Sequence, residues 1–305
     1  MRYHGPGVFY VGLSCTLPKS KSIAYFDSAF HRSIPRHIYS YAIDPKVAKQ
    51  KGLKKYGFHG LSYAFILRSV ASYLKKPSES LNLIVLHLGS GASVCAIQNG
   101  RSLDTSMGLT PLNGLPGATR SGAVDPSLIF HYTNSAGKMS HDPKNAREPA
   151  LRVTEAEHIL NTQSGWQSLT GTADFGAITA KAALASAPSA ENAHRLAFDL
   201  FADRILNYVG SYYVKLGGKV DALVFAGGIG EKGGELRARI GKGVECVGFP
   251  EIDRDKNQST TVRDGGVVVG INVDAAADGK RILVCKTNEQ LEMARQCALE
   301  KKFWE

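Results

Sequence analysis

Several short stretches of this chain hold side chains suited to handling a phosphoryl group. Arg120 stands in Thr119-Arg120-Ser121-Gly122, whose small residues suit a loop aimed at a ligand. Its planar guanidinium matches phosphoryl oxygens and keeps its charge at working pH. His59 lies between Gly57 and Gly60, where the backbone can approach a ligand closely and the imidazole can donate to a phosphoryl oxygen. His87 leads into Leu88-Gly89-Ser90-Gly91, a glycine loop whose backbone N–H groups can cradle phosphate. Asp27 follows an apolar run and offers an ionised carboxylate at its end. Taken singly, each residue has a plainer reading. An Asp after a strand caps a turn, a lone His is usually structural, and an Arg is usually on the surface. Glu289 is favoured in the first turn of a helix by the macrodipole alone.

The elements that must position these groups are partly readable. Ser22 to Phe26 is a short apolar run, expected as a buried strand. Leu81 to Leu86 and Ser93 to Ile97 read as strands on either side of the glycine loop. Asn99-Gly100 is a strong hairpin signal leading into a third strand, Arg101 to Thr105. The glycine loop therefore joins two antiparallel strands, unlike a P-loop, and no G-x-x-x-x-G-K-[ST] sequence is present. Between Ala190 and Leu216, the residues Ala193, Ala197, Phe201, Ile205, Tyr208 and Tyr212 share one helical face, and Gly217-Gly218 should end that helix. Asp221 to Ala226 reads as a strand, Gly227 to Gly230 as the turn out of it, and Leu236 to Ile240 as a helix. Arg281 to Cys285 is the last strand. Thr287 is expected to cap a final helix, with Gln290 completing a capping box, that runs to about Phe303. Ser135 to Pro149, rich in polar residues, Gly and Pro, is expected to be the least ordered stretch. The whole reads as α/β.

Composition narrows the function classes. With 305 residues and 43% hydrophobic content, the chain can bury a core without disulfide or metal staples. Its five cysteines are scattered without a CxxC pair, which favours free thiols in a reducing compartment. No apolar run reaches the roughly 18 residues of a membrane span, and no signal-peptide pattern is present, so a cytoplasmic protein is expected. The net charge of +10 is spread out, as in Lys46, Lys49, Lys51, Lys54 and Lys55, without interleaved aromatics. That argues against nucleic acid as a partner and for a mild attraction to phosphorylated metabolites. No G-x-G-x-x-G opens a helix after a strand, which argues against a dehydrogenase.

Taken together and in order, these segments resemble the acetate kinase family. They are Tyr25-Phe26-Asp27-Ser28-Ala29-Phe30-His31, Tyr56-Gly57-Phe58-His59-Gly60, His87-Leu88-Gly89-Ser90-Gly91-Ala92-Ser93, Asp104 to Leu112 leading to Thr119-Arg120-Ser121-Gly122, Ala226 to Glu231, and Thr287-Asn288-Glu289. The resemblance runs from about Ile23 to Arg295, and the variants HLGSGAS and GLPGAT look like the fungal branch. It implies an actin-like ATPase fold of the sugar kinase, Hsp70, actin and ribonuclease H-like type. On that fold residues 1–30 would be a remnant of an N-terminal domain, 31–288 a C-terminal nucleotide-binding domain, and 289–305 a helix returning to the first.

The same resemblance implies magnesium-dependent, reversible transfer of phosphate between ATP and acetate, giving ADP and acetyl phosphate, by a cytoplasmic homodimer. Asp27, His59 and Arg120 would be catalytic, Pro111 would line the acyl pocket, and Glu289 would bind Mg2+. His87, Leu88, Gly89, Ser90, Gly91, Asp174, Gly228, Ile229, Gly230, Glu231 and Lys232 would contact the nucleotide. Two positions depart from the pattern: Gly176 stands where an Arg is common, and Ser90 where an Asn is common. The family's Asn- and Ser-rich phosphate loop and its Arg segment for the substrate carboxylate are not found. Met1 to Ser20 shows no resemblance, so a piece of about a hundred residues is expected to be missing. An exposed strand edge, an apolar patch at the last helix, an acyl pocket open on one side and weak or no activity are expected to follow. A nucleotide-binding protein without transfer and a propionate or butyrate kinase are the rival readings.

Overall fold

A computed structural model describes residues 23–139, 153–186, 191–260, 266–273 and 279–301. Its centre is a six-stranded mixed sheet in the order β3-β2-β1-β4-β6-β5. The strands are β1 (Leu83–Leu88), β2 (Ala92–Gln98), β3 (Arg101–Thr105), β4 (Ala222–Ala226), β5 (Val268–Gly270) and β6 (Arg281–Cys285). β1, β2 and β3 pair antiparallel, as the hairpin signals require. Asn99 and Gly100 both take positive φ, 49° and 70°, which matches the strand twist in a two-residue turn. β1, β4 and β6 then run parallel, and β5 closes the far edge antiparallel to β6.

Period-2 alternation sends successive side chains of the central strands into two cores. Ile84, Leu86 and Leu88 join Leu223, Phe225, Ile282 and Val284 on one face. There they meet the long helix α5 (Ala193–Lys215) through Phe198, Phe201, Ile205 and Tyr212. Leu83, Val85, Ala222, Val224, Leu283 and Cys285 fill the other face, against helix α1 (Gly60–Leu74). Burial on both faces explains why these strands read as continuous apolar runs. Asn192 caps α5 by accepting from Arg195 N, and the helix stops at Gly217 and Gly218, both with positive φ, as expected.

Between β3 and α5 lie α2 (Glu155–Thr162), α3 (Gly165–Thr170) and α4 (Phe175–Lys181); α6 (Gly227–Lys232) and α7 (Gly234–Val244) follow β4, and α8 (Glu289–Leu299) follows β6. α8 packs on α1, where the buried Glu292 carboxylate accepts from Arg68 at 2.9 Å.

Four local expectations are corrected. Residues 23–26 are not a strand: no neighbouring strand among the described residues pairs with them, and Phe26 is 66% exposed ahead of a 3-10 turn, Asp27–Ser33. Gly227 to Gly230 is the first turn of α6 rather than a plain turn. Thr287 does not cap α8, because its hydroxyl is bonded to Ser62; Asn288 caps it instead, accepting from Leu291 N at 2.9 Å. That helix stops at Leu299, short of Phe303. Residues 140–149 of the stretch expected to be least ordered, and Met1 to Ser22, lie outside the described residues. The expected apolar exposure near the last helix is present at Leu291 and Leu299, 53% and 65% exposed.

Candidate active site

The site gathers where β1 and β4 end and α1 and α8 begin. His59 occupies the position before α1 in the left-handed region, φ 58°. A non-glycine residue held there stores strain of about 1–3 kcal/mol, so surrounding contacts must enforce it. Two glycines do so. A Cβ at Gly60 would lie 1.8 Å from the Asp27 carbonyl, and one at Gly57 would lie 2.5 Å from the His31 ring. The flanking glycines were expected to admit a ligand, but they admit the chain's own Asp27 turn and His31 instead. His31, buried, donates from Nε2 to the Phe58 carbonyl at 2.9 Å and accepts from Ser102 at Nδ1. It therefore fixes the loop that carries His59.

His59 and His87 are stacked, with ring centroids 4.2 Å apart and planes 24° apart. Each ring is held at Nδ1 by a serine, His59 by Ser93 and His87 by Ser62, both at 2.8 Å. The Gly89–Gly91 loop between β1 and β2 passes beside them. A Cβ at Gly91 would lie 3.2 Å from Arg120 Nη1 and 3.9 Å from His59 Nε2, so these two groups converge on a single glycine. Arg120 is held by its own turn, in which Gly117 N donates to its carbonyl, while Ala118 N donates to the Ser90 carbonyl. α2 and α3 brace that turn from behind: Thr119 Oγ1 donates to the Asn161 carbonyl, and Trp166 N to the Gly117 carbonyl.

Asp27 Oδ1 accepts weakly from Leu61 N at 3.4 Å and sits within electrostatic reach of His87 and Glu289. Glu289 begins α8, and burial followed by the Asp27 charge raises its pKa. A partly buried carboxylate with a second carboxylate in electrostatic reach suits a divalent cation. Among the described residues no cluster of three His, Cys, Asp or Glu could hold a metal. Mg2+ keeps several waters of its own, so the Asp27 and Glu289 carboxylates are the donors here that fit it.

The remaining sequence candidates are spread around this centre. Leu88 ends β1, and a Cβ on Gly227, φ 74°, would strike its carbonyl at 2.7 Å. The chain crosses there at backbone contact distance, while Gly228 faces open space. Glu231 Oε1 accepts from Thr287 N at 3.3 Å, tying α6 to the segment before Glu289. Ile229 is half-buried, Gly230 buried and Lys232 exposed. Asp174 is exposed and caps α4, accepting from Gly176 N at 2.8 Å; its loop reaches the Arg120 turn through Trp166, whose Nε1 donates to the Ala173 carbonyl. Pro111 is half-buried in a loop anchored where Tyr56 N donates to the Gly108 carbonyl.

Sequence reasoning missed Arg237. It is 2% exposed, and its guanidinium donates to the Gly230 and Glu231 carbonyls at 2.8 and 2.9 Å and to both oxygens of Asn257. An arginine in a short helix carries no sequence signal of burial. His31, Ser62 and Tyr63 were also passed over, since each works through another residue rather than facing solvent.

Three histidines of the site are kept neutral. Burial pushes His31 and His59 down to about 4 and His87 to about 3, with Arg120 adding to the effect at His59 and His59 adding at His87. The unfolded chain binds these protons from about pH 6.5 downward while the native state does not. Stability is then complete above pH 6.5 and falls with pH between about 6.5 and 4, by up to about 1.4 kcal/mol per pH unit for each histidine. Urea unfolding at pH 7 and pH 5 should show this slope. His31→Gln, which keeps a donor for the Phe58 carbonyl, should reduce it by about one third; an unchanged slope would exclude His31 as a contributor.

Comparison with known proteins completes the picture. The Acetokinase family model matches residues 11–295. The chain belongs to the acetokinase family. That match starts twelve residues before Ile23, so part of the N-terminal stretch expected to be unrelated is family sequence after all. A probable acetate kinase of Emericella nidulans is 54% identical over 281 residues, covering 92% of this chain and 64% of that protein. One of Neurospora crassa is 52% identical over 307 residues, covering 94% and 64%. The chain thus spans about 64% of the length of these fungal relatives. Among solved structures, a propionate kinase of Francisella tularensis superposes with a TM-score of 0.78 at 35% identity, covering 94% of this chain and 67% of that one. An acetate kinase of Porphyromonas gingivalis gives 0.79 at 27%, covering 97% and 67%. The α/β, actin-like ATPase fold expected from the sequence is the fold found. Among the described residues no helix is long and apolar enough to cross a membrane.

Proposed function

We propose that this chain carries out acetate kinase chemistry, the reversible, magnesium-dependent transfer of phosphate between ATP and acetate. The observation that carries the reading is the convergence of Arg120 and His59 on Gly91, with Asp27 within electrostatic reach of both His87 and Glu289. Direct in-line transfer asks a protein for positioning and for positive charge around the phosphoryl oxygens.

Arg120 supplies a permanent charge with a planar fork. His59, neutral at working pH, supplies an N–H rather than a second cation, which limits repulsion between the two groups. The Gly89-Ser90-Gly91 backbone and His87 face the nucleotide phosphates, and the open surface at Gly228 takes the adenosine against bare backbone, flanked by Ile229, Gly230, Glu231 and Lys232. Asp174 contacts the nucleotide from the α4 cap, Pro111 lines the acyl pocket and Asp27 orients the acid. Asp27 and Glu289 would hold Mg2+, which when bound supplies further positive charge to the phosphates.

The test joins two measurements on the full chain with Mg2+ present. Calorimetry reads ATP binding, and hydroxamate trapping reads acyl phosphate formed from ATP and acetate. ATP binding is expected with acyl phosphate at a low rate, and robust acyl phosphate formation would overturn the expectation of weak or no activity. Binding without acyl phosphate would replace this reading with that of a nucleotide-binding protein that does not transfer. The likeness to the Francisella tularensis propionate kinase makes propionate the parallel substrate, and a higher kcat/KM for it would reassign the acid.

A further inference from the structure

The grip on His59 extends one residue deeper than Ser93. Ser93 Oγ, fully buried, lies 2.8 Å from His59 Nδ1 and is also hydrogen-bonded to the hydroxyl of Tyr63, itself fully buried. A chain of three groups, Tyr63–Ser93–His59, thus runs from the α1 core to the site. We propose that Tyr63 acts through Ser93 as a positioning residue that holds His59 in the tautomer with its proton on Nε2, the nitrogen nearer Gly91 and Arg120. This rests on the reading of His59 as a donor to the phosphoryl group.

The direction of the chain follows from acidity and basicity. A phenol is a stronger donor than an alcohol, and an imidazole nitrogen is a stronger acceptor than a hydroxyl oxygen. Tyr63 O–H donating to Ser93 Oγ, and Ser93 O–H donating to His59 Nδ1, pairs each donor with its better acceptor. The tautomer of a histidine is set by the partner of its other nitrogen, so Nε2 then carries the proton and can donate toward the site. A reversed chain is available as well. Thr105 lies within reach of the Tyr63 hydroxyl, and its own hydroxyl donates to the Val94 carbonyl at 3.1 Å and is left an acceptor. Reversal would place the His59 proton on Nδ1 and turn a bare Nε2 toward the site, unable to donate. The two arrangements predict opposite tautomers.

Ring nitrogen NMR of the full chain labelled at histidine, recorded near pH 7, reads the difference directly, with His59 assigned by its loss in His59→Gln. The wild-type protein should show the proton on Nε2. Tyr63→Phe keeps the ring in its pocket and removes only the hydroxyl, and it should move a measurable fraction of His59 to the Nδ1–H form. Ser93→Ala should do the same if Tyr63→Phe fails to fold. In parallel, kcat should fall about 10-fold or more in these variants, as for other partners that orient a functional imidazole, with little change in nucleotide KM. An Nδ1–H tautomer in the wild-type protein overturns the proposal, as does a tautomer unmoved in both variants. A tautomer that responds in a protein showing no phosphoryl transfer would instead sink the functional reading and leave the hydrogen-bond chain standing.

Discussion

Replacing Arg120 by alanine is expected to lower phosphoryl transfer by on the order of 10²–10³ while leaving ATP binding and the urea midpoint nearly unchanged. The size follows from what the group provides. Its charge faces a glycine loop in a half-buried site, where a fixed cation costs no reorganisation as charge develops on the phosphoryl oxygens. The asymmetry between transfer and stability follows from its surroundings. The Arg120 loop is held by backbone bonds from Gly117, Ala118 and Trp166 and by the Thr119 hydroxyl, and none of these uses the guanidinium. Arg120→Lys should recover only part of the loss, since an ammonium lacks the planar fork. Hydroxamate assays and calorimetry on the two variants decide the matter, and near-normal turnover in the alanine variant would remove Arg120 from the mechanism.

Replacing Arg237 by methionine is expected to have the opposite signature, a loss of at least about 3 kcal/mol in stability together with weakened nucleotide binding. The guanidinium satisfies four acceptors, the carbonyls of Gly230, Glu231 and Asn257 and the Asn257 side-chain oxygen, and all but the Glu231 bond are buried. Each acceptor left dry costs about 1–3 kcal/mol, less whatever water can reach it. Burial lowers the arginine's own pKa to about 10, so it remains charged at neutral pH. The two carbonyls at 230 and 231 belong to α6, where the adenosine is proposed to lie. Releasing them should loosen that surface and raise the Kd for ATP. An unchanged urea midpoint in Arg237→Met would show that water replaces the guanidinium at little cost.

The sequence made some of this legible for identifiable reasons. The β2–β3 hairpin was readable because Asn-Gly takes positive φ cheaply at both positions, and α5 because its buried residues recur at three- and four-residue steps. α1 was invisible on both counts. It is buried on almost every side through Ser62, Tyr63, Phe65, Ile66, Leu67, Ser69 and Val70, so it shows no polar stripe. It also begins at a strained His59 that makes no side-chain cap. The order of motifs along the chain marked out Asp27, His59, His87, Arg120 and Glu289, and the fold brings the elements that carry them to one end of the sheet. The groups packed behind them, His31, Ser62, Tyr63 and Ser93, and Arg237 under α6 were not legible as such. Most of their partners lie 20 to 225 residues away, and no local pattern records that. The expected strand at Ser22 to Phe26 failed for a related reason, since an apolar run becomes a strand only where another strand meets it.

The bond between Ser62 and Thr287 joins residues 225 positions apart, and Arg68 meets Glu292 across 224. The strand order adds to this, because β6 is made after β5 yet lies between β5 and β4. On a ribosome releasing about 5–20 residues per second, His59 and Arg120 emerge well before the strand that brings Glu289 to them. The growing chain therefore carries a sheet open beside β4 for on the order of ten seconds, with half of its polar centre unassembled. Ligands can reward only the finished arrangement, so nucleotide should stabilise the completed polypeptide and give nothing to the nascent one. Premature stops before residue 281 should accordingly hand quality-control proteases a substrate that no amount of ATP protects.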